Sequence, residues 1–491
     1  MMINEAFRLQ KYICLSLVIT ALCACGFAHG VVLAQESLAE ISGFEPSEIL
    51  SIEDGEELKP TDRNLIRMLY RAAKTSDQSF AKYAELSHGS TLEQIDSDER
   101  GRRLNVFRLS GRAKSVKVVF KADADDAGAK PSEIHPFCLL TIEDHSGGRL
   151  LVAVPVKRTS SGGVRVNVPR NWLKQKALDE LVEFDGYFLA KFAASKLAET
   201  SDNELVPLFV ANKIKWFPDH PNVELAIHSD HVLLARHQVN LTQRDIAAKN
   251  NNRQMQADEG DYFYQLLRAT NQIERSEIVE SAIDFHSLLQ SPGESLARSV
   301  ELAGRVRRVT KAQVTNPQQQ KLIDADHYYV IDLLIPLSDT KVVVNTKKTK
   351  PDGTGDEVEN GPSIAYDNRF PVTVCVAKLP CAEDELEKQN VIVNGFFFRL
   401  WNYPSAFVDE RTSDSGAGQV CPLVVGLAPV IVDNNVDAGR AFLAQILLGL
   451  AGAVLLFALL AVWYLKRSDQ KVGSAVKKND ELPDEVGEIN F

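Results

Sequence analysis

Four of the ten histidines fall between residues 220 and 237: His220, His228, His231 and His237, with Asp219 and Asp230 among them. Imidazoles beside carboxylates can hold a transition metal. The chemistry this suggests is metal-assisted hydrolysis, with His220, His228 and His231 as candidate ligands. The spacing matches neither His-Glu-x-x-His nor a zinc-finger pattern. The run His228-Ser229-Asp230-His231 also lies in a polar stretch, where solvated histidines are the ordinary outcome.

A second group mixes cations with aromatics. Arg112, Lys114 and Arg305, with Tyr187, Phe396 and Trp401, are the candidate binding residues. Binding a single strand needs exposed rings for stacking, interleaved with cations for the backbone. On strands such rings alternate, so about half of them must face a core. Residues 104–217 carry a positive balance and residues 298–433 a slightly negative one, within a chain of net charge −11. Nucleic-acid affinity comes mainly from clustered Lys and Arg, so this balance argues against nucleic acid as the partner. No Gly-x-Ser-x-Gly, P-loop or dinucleotide glycine pattern occurs. The Gly147-Gly148 and Gly162-Gly163 pairs sit at expected hairpin turns and not ahead of helices. The residues therefore favour binding over catalysis and imply no cofactor.

The elements that would position these groups occur twice. Phe107-Arg108-Leu109-Ser110-Gly111-Arg112 matches Val300-Glu301-Leu302-Ala303-Gly304-Arg305. Asp185-Gly186-Tyr187-Phe188-Leu189 matches Asn394-Gly395-Phe396-Phe397-Phe398, and Val206-Pro207-Leu208-Phe209-Val210 matches Cys421-Pro422-Leu423-Val424-Val425. The matches keep their order, which is the mark of an internal repeat. Upstream, Leu69-Tyr70-Arg71-Ala72 resembles Leu266-Leu267-Arg268-Ala269. Leu65, Met68, Leu69 and Ala72 form a helical stripe, with Thr61 as the expected N-cap. A second stripe is formed by Tyr262, Leu266, Leu267 and Ile273, and Ile278–Leu289 reads as a further amphipathic stretch.

In each copy the pattern then reads strand, hairpin, helix, two strands. Trp172–Leu181 is the expected helix of the first copy, and Lys347–Asp367 reads as a polar loop inserted in the second. This order resembles an OB-fold. The expected class is α+β and β-rich: two tandem OB-like barrels of five to six strands, each with a helical prefix. The boundaries fall at 35–103 (prefix), 104–217 (first barrel), 218–297 (linker and second prefix) and 298–433 (second barrel).

Ala441–Leu465 carries no charge and is long enough to cross a bilayer. Trp463-Tyr464 and then Lys466-Arg467 end it. Lys466, Arg467, Lys471, Lys477 and Lys478 come after the segment, against Arg440 alone just before it, so the tail 466–491 is expected inside and the ectodomain outside the cytoplasm. Residues 1–34 read as a cleaved secretory signal, with an uncleaved anchor or a lipoprotein signal at Cys25 as alternatives. Gly449 and Gly452 leave pairing of spans into an oligomer open. Seven cysteines are too few for a disulfide scaffold, though a bridge among Cys375, Cys381 and Cys421 is an option. This layout resembles bitopic bacterial cell-envelope proteins with tandem OB-fold-like domains, and the resemblance implies no activity. The expected partners are the lipid bilayer and a protein or polymer outside the cytoplasm.

Overall fold

The computed structural model describes residues 54–55, 62–86, 95, 102–119, 136–158, 164–165, 167–193, 205–278, 282–337, 340–349, 358–404, 417–432 and 436–479. Residues 1–34, expected to be a signal, lie outside them. Among the described residues the chain is α+β, with two large sheets and one C-terminal apolar helix.

Two helices precede the first sheet, α1 (Arg63–Lys74) and α2 (Asp77–Leu86). The cap of α1 is Asp62, one residue later than expected: its carboxylate accepts from the Asn64 and Leu65 amides at 2.7 and 3.0 Å. A carboxylate also suits the positive end of the helix dipole better than a hydroxyl. The first sheet comes next, as β1 (Val106–Val119), β2 (Phe137–Asp144), β3 (Arg149–Pro155), β4 (Glu180–Ala193), β5 (Leu205–Ala211) and β6 (Lys215–Trp216). Its order is β1-β2-β3-β5-β4-β6, and β1 also pairs with β4, so the ladders run in a ring. All pairs are antiparallel except β3 with β5.

Alternation sorts the side chains of this ring into two sets. Phe107, Leu140, Val152, Phe184, Phe188 and Phe209 share one cluster. Leu139, Leu151, Tyr187, Leu189 and Leu208 belong to another, with Leu65, Met68, Leu69 and Ala72 of α1 and Phe80 of α2. One face of the strands is therefore turned to its own centre and the other is covered by the two helices. The expected helix at Trp172–Leu181 is only a 3-10 turn, Arg170–Lys174, because β4 already begins at Glu180. It buries Trp172 edge-on against Trp216, with centroids 5.3 Å apart.

The linker carries α3 (Ser229–Arg236), α4 (Arg244–Lys249), α5 (Gly260–Gln272) and α6 (Phe285–Gln290). Of the stretch expected over Ile278–Leu289, the part that is helical among the described residues is α6, preceded by a 3-10 turn at Arg275–Glu277. The second sheet comprises β7 (Ser299–Gln313), β8 (His327–Pro336), β9 (Val342–Thr349), β10 (Val358–Tyr366), β11 (Arg369–Val376), β12 (Asn390–Pro404), β13 (Ala417–Gly426) and β14 (Val430–Ile431). A short helix, α7 (Pro317–Ile323), joins β7 to β8, and another, α8 (Glu383–Leu386), joins β11 to β12. The order is β10-β9-β13-β11-β8-β7-β12-β14, and β12 also pairs with β13. The same ring results, with the same single parallel pair, here β11 with β13. More than half of the insertion expected as a loop is paired instead: β9 and β10 form a ladder from Val342↔Tyr366 to Thr349↔Val358, with a register shift between Asn345 and Lys347. Val342, Val343 and Val344 have the β-branching that favours strand, and the hairpin extends the sheet beside Ala417 and Gly418.

Tyr262 and Phe263 of α5 meet Phe398 of β12, and Phe263 and Tyr264 meet Tyr328 of β8. This helix covers the second ring where α1 and α2 cover the first. A last helix, α9 (Val436–Asn479), contains the stretch Ala444–Arg467, long and apolar enough to cross a membrane, with its side chains exposed.

Candidate functional site

The candidate residues scatter. Arg112 lies between Asp179 (2.9 Å) and Asp219 (2.7 Å), and these hydrogen bonds push its guanidinium pKa up. Lys114 bonds Asp179 at 2.7 Å and lies 3.4 Å from Glu143. Both cations are thus neutralised by nearby carboxylates. Tyr187 and Phe396 are fully buried, so no ligand reaches their rings. Tyr187 lies edge-on to Phe80 of α2, 4.9 Å away. Alternation puts half the rings towards the centre of a sheet; Tyr187 lies on the other face and is lost beneath α1 and α2 instead.

The histidines also fail to converge. His220 pairs with Asp219 at 2.7 Å on the surface. His228 caps the start of α3, and its backbone N–H donates to His231 Nδ1 at 3.0 Å. The other ring nitrogen of His231 donates to the Leu296 carbonyl at 3.0 Å. Both nitrogens of His231 are therefore occupied. Burial pushes its pKa down to about 3, so the ring stays neutral. Among the described residues no group of three or more His, Cys, Asp or Glu is placed to hold a metal. The metal assignment to His220, His228 and His231 is corrected accordingly.

The cysteines are unbridged as well: Cys138, Cys375, Cys381 and Cys421 are free thiols. Cys375 and Cys421 lie on the parallel pair β11–β13, but Cys375 stands opposite Val425, four positions beyond Cys421. At ~3.3 Å per residue that is too far for a disulfide.

One candidate remains reachable and has company. Trp401 on β12 is half-buried and stacks on Tyr403, two positions along the same strand, with centroids 5.0 Å apart and planes at 29°. Its indole N–H donates to Cys421 Sγ at 3.0 Å, which fixes the ring over β13. Thr373 of β11 lies 3.6 Å from the same sulfur. Burial raises the pKa of the Tyr403 hydroxyl, and so do Cys421, Asp332 and Tyr366, while Arg307 lowers it. These groups therefore lie within electrostatic reach of one another. Arg307, Arg308 and Lys311 are exposed along β7, and Arg308 pairs with Asp332 at 2.8 Å. Arg305 is exposed nearer the start of β7, and its Nε donates to the Lys388 carbonyl at 3.1 Å.

A buried clamp holds Trp401 in place. Arg399, two residues earlier, makes five hydrogen bonds under 3.3 Å: to both Glu259 oxygens (2.6 and 2.8 Å) and to the carbonyls of Arg253, Leu400 and Gln254. The Asn402 amide in turn donates to the Arg253 carbonyl at 3.0 Å, tying segment 252–254 along the strand.

The first ring has the same position filled differently. Trp401 faces Cys421, and Phe192 faces Val206, at matching places in the two ladders. Phe192 is buried with the α1–α2 cluster. Sequence reasoning found Trp401 but missed Tyr403, Arg307, Arg308 and Lys311. The signal was available in part, since residues 399, 401 and 403 of one strand share a face.

No protein-family model matches the chain, and no curated protein does. Among solved structures, a deletion mutant of the single-stranded DNA binding protein from Thermus aquaticus matches at 10% identity, over 68% of this chain and 96% of that one, with a TM-score of 0.14. A replication protein A heterotrimer bound to single-stranded DNA matches at 8% identity, over 73% of this chain and 72% of that one, with a TM-score of 0.16. The exclusion of nucleic acid drawn from net charge is corrected: the sum over a chain hides a local row of exposed cations such as Arg307, Arg308 and Lys311. At scores this low the matches carry no argument about the ligand of this chain.

Proposed function

We propose that the chain is a non-enzymatic binding protein built from two copies of one OB-like barrel and held to a membrane by Ala441–Leu465, with its folded part outside the cytoplasm. The second barrel carries the ligand face, centred on Trp401 and Tyr403 and rimmed by Arg307, Arg308 and Lys311. The first barrel is structural. The observation that carries this reading is the difference at matching positions: the first barrel seals this place beneath α1 and α2, whereas the second leaves a stacked aromatic pair half-exposed. Two rings on one strand next to a row of arginines suit a chain of planar groups joined by anions, and single-stranded nucleic acid is the ligand of that description.

Tryptophan emission tests it. Trp172 and Trp216 are fully buried and Trp463 lies in the apolar helix, so ligand-induced quenching reports on Trp401. Titrating the detergent-solubilised full chain with a thymidine oligonucleotide should quench emission. Trp401→Phe should remove most of the signal, and affinity should fall as salt rises. No quenching by the oligonucleotide, or quenching indifferent to salt, refutes the nucleic-acid reading. Quenching by a neutral glycan instead would keep the face and change its ligand.

A further inference from the structure

The two barrels also differ at the end where each ring is left by its last short strand. In the first, β6 pairs beside β4, with Trp216 opposite Val182. In the second, β14 pairs beside β12, with Ile431 opposite Val391. Ile431 thus holds the place of Trp216, and Val430 that of Lys215.

The first copy shows how this place is finished. Trp216 is buried edge-on to Trp172, and the chain beyond β6 returns to it. Its amide donates to Asn240 at 2.9 Å, and its indole N–H donates to the buried Glu180 at 2.8 Å. The segment after the strand folds back and covers the end of the barrel. In the second copy nothing among the described residues does so. Val430 is 45% and Ile431 37% exposed, adjacent in sequence. The next element is α9, whose apolar stretch begins at Ala444.

We infer that the bilayer surface is the cover: Val430 and Ile431 seat the second barrel on the headgroup layer of the membrane that α9 crosses. This rests on the reading of Ala444–Arg467 as a span. Chain length permits it. From Val432 to Val436 is at most ~14 Å, and eight helical residues to Ala444 add ~12 Å, so the patch is tethered within ~26 Å of the start of the span and can reach a headgroup layer ~5–7 Å deep.

The experiment uses the full chain in nanodiscs, with Ile431, Val343 or Leu455 replaced one at a time by an NBD-bearing residue. Quenchers are placed shallow, at the headgroup, or deep, on the acyl chain. The probe at 431 should be quenched at least twofold by the shallow quencher in phosphatidylcholine. The probe at 343, on the exposed part of β9, should be untouched, and that at 455 quenched by the deep quencher. Quenching at 455 with none at 431 overturns the seat and keeps the span. Absence of deep quenching at 455 overturns the span itself.

Discussion

Changing Glu259 to Gln perturbs the structure that holds Trp401. Glu259 and Arg399 are both fully inaccessible, and their two hydrogen bonds, at 2.6 and 2.8 Å, form a two-pronged ion pair. With the carbonyls of Arg253, Leu400 and Gln254, all five guanidinium hydrogens are used. A glutamine in place of Glu259 would keep the size and one acceptor but supply an NH2 where an oxygen is needed, and would leave a buried cation without its counter-charge. Breaking one side of a buried pair costs ~3–5 kcal/mol. Replacing both sides by apolar groups of similar volume costs far less, because no charge is then left stranded. Urea unfolding followed by Trp401 emission measures both. Glu259→Gln should lower stability by ~3 kcal/mol or more, and Arg399→Met with Glu259→Leu should recover at least half of that loss. A cost below ~1 kcal/mol for the single change, or a double change that merely adds the losses, refutes the idea that the pair is an interdependent clamp. The ligand face should suffer with it, since Arg253 also bonds the Asn402 amide beside Trp401.

Truncating the stacked pair by Trp401→Ala should weaken oligonucleotide binding by ~1–3 kcal/mol in a fluorescence-anisotropy titration, while Phe192→Ala should lower thermal stability and leave binding unchanged. Burial holds the folded-state pKa of His231 at about 3, below the ~6.5 of an unfolded histidine. Between those values the unfolded chain binds more protons, so stability should be full above pH ~6.5 and fall by up to ~1.4 kcal/mol per pH unit as pH drops towards 3, a slope that denaturant midpoints should lose in His231→Asn. A Cβ on Gly395 would lie 2.7 Å from both the Gly426 Cα and the Val425 carbonyl oxygen, so Gly395→Ala should force β12 and β13 apart and cost ~1–3 kcal/mol in the same unfolding assay.

The strand order was legible because hydrophobic alternation and turn residues are local. Val164 to Val168 reads as strand, however, and among the described residues only Val164 and Arg165 pair there, with Lys157 and Arg158. Lys341–Asn345 also reads as strand, and β9 lies there, but its partner β10 was missed for a related reason. The Gly, Pro and Asp content of 347–367 marks a loop, but pairing of Val342–Val344 with Ile364–Tyr366 outweighs those weak local preferences. Tyr187 and Trp401 were indistinguishable on paper, since each is an aromatic residue on the long strand that pairs on both sides within its sheet. What separates them is which stretch of that strand the helices reach, and this depends on contacts more than a hundred residues apart, such as Tyr187 with Phe80. His231 misled in the opposite direction: its spacing hinted at chemistry, but its surroundings are the core of α3.

The residues around the matching positions explain how the second sheet leaves this face half-exposed while the first seals it. In the first, the covered face is Leu139, Leu151, Ala153, Leu208 and Phe192, a surface that water would destabilise and that α1 and α2 must therefore cover. In the second, the matching region carries Asp332, Thr373, Trp401 and Tyr403, whose polar atoms already have partners in Arg308, Cys421 and one another's fields. Such a surface tolerates water on one side and so does not require a helix across it. A helix hairpin like α1–α2 laid over that region would have to desolvate the Arg308–Asp332 pair, at a cost that Coulomb attraction between the two does not reliably repay. Opening the face thus requires only a few polar substitutions on strands whose order is unchanged. Grafting leucines at 332 and 401 should make the second barrel associate through the same face that the first keeps closed, which analytical ultracentrifugation in detergent would reveal as concentration-dependent dimers. A strictly monomeric double variant would show that polarity is not what keeps this face open.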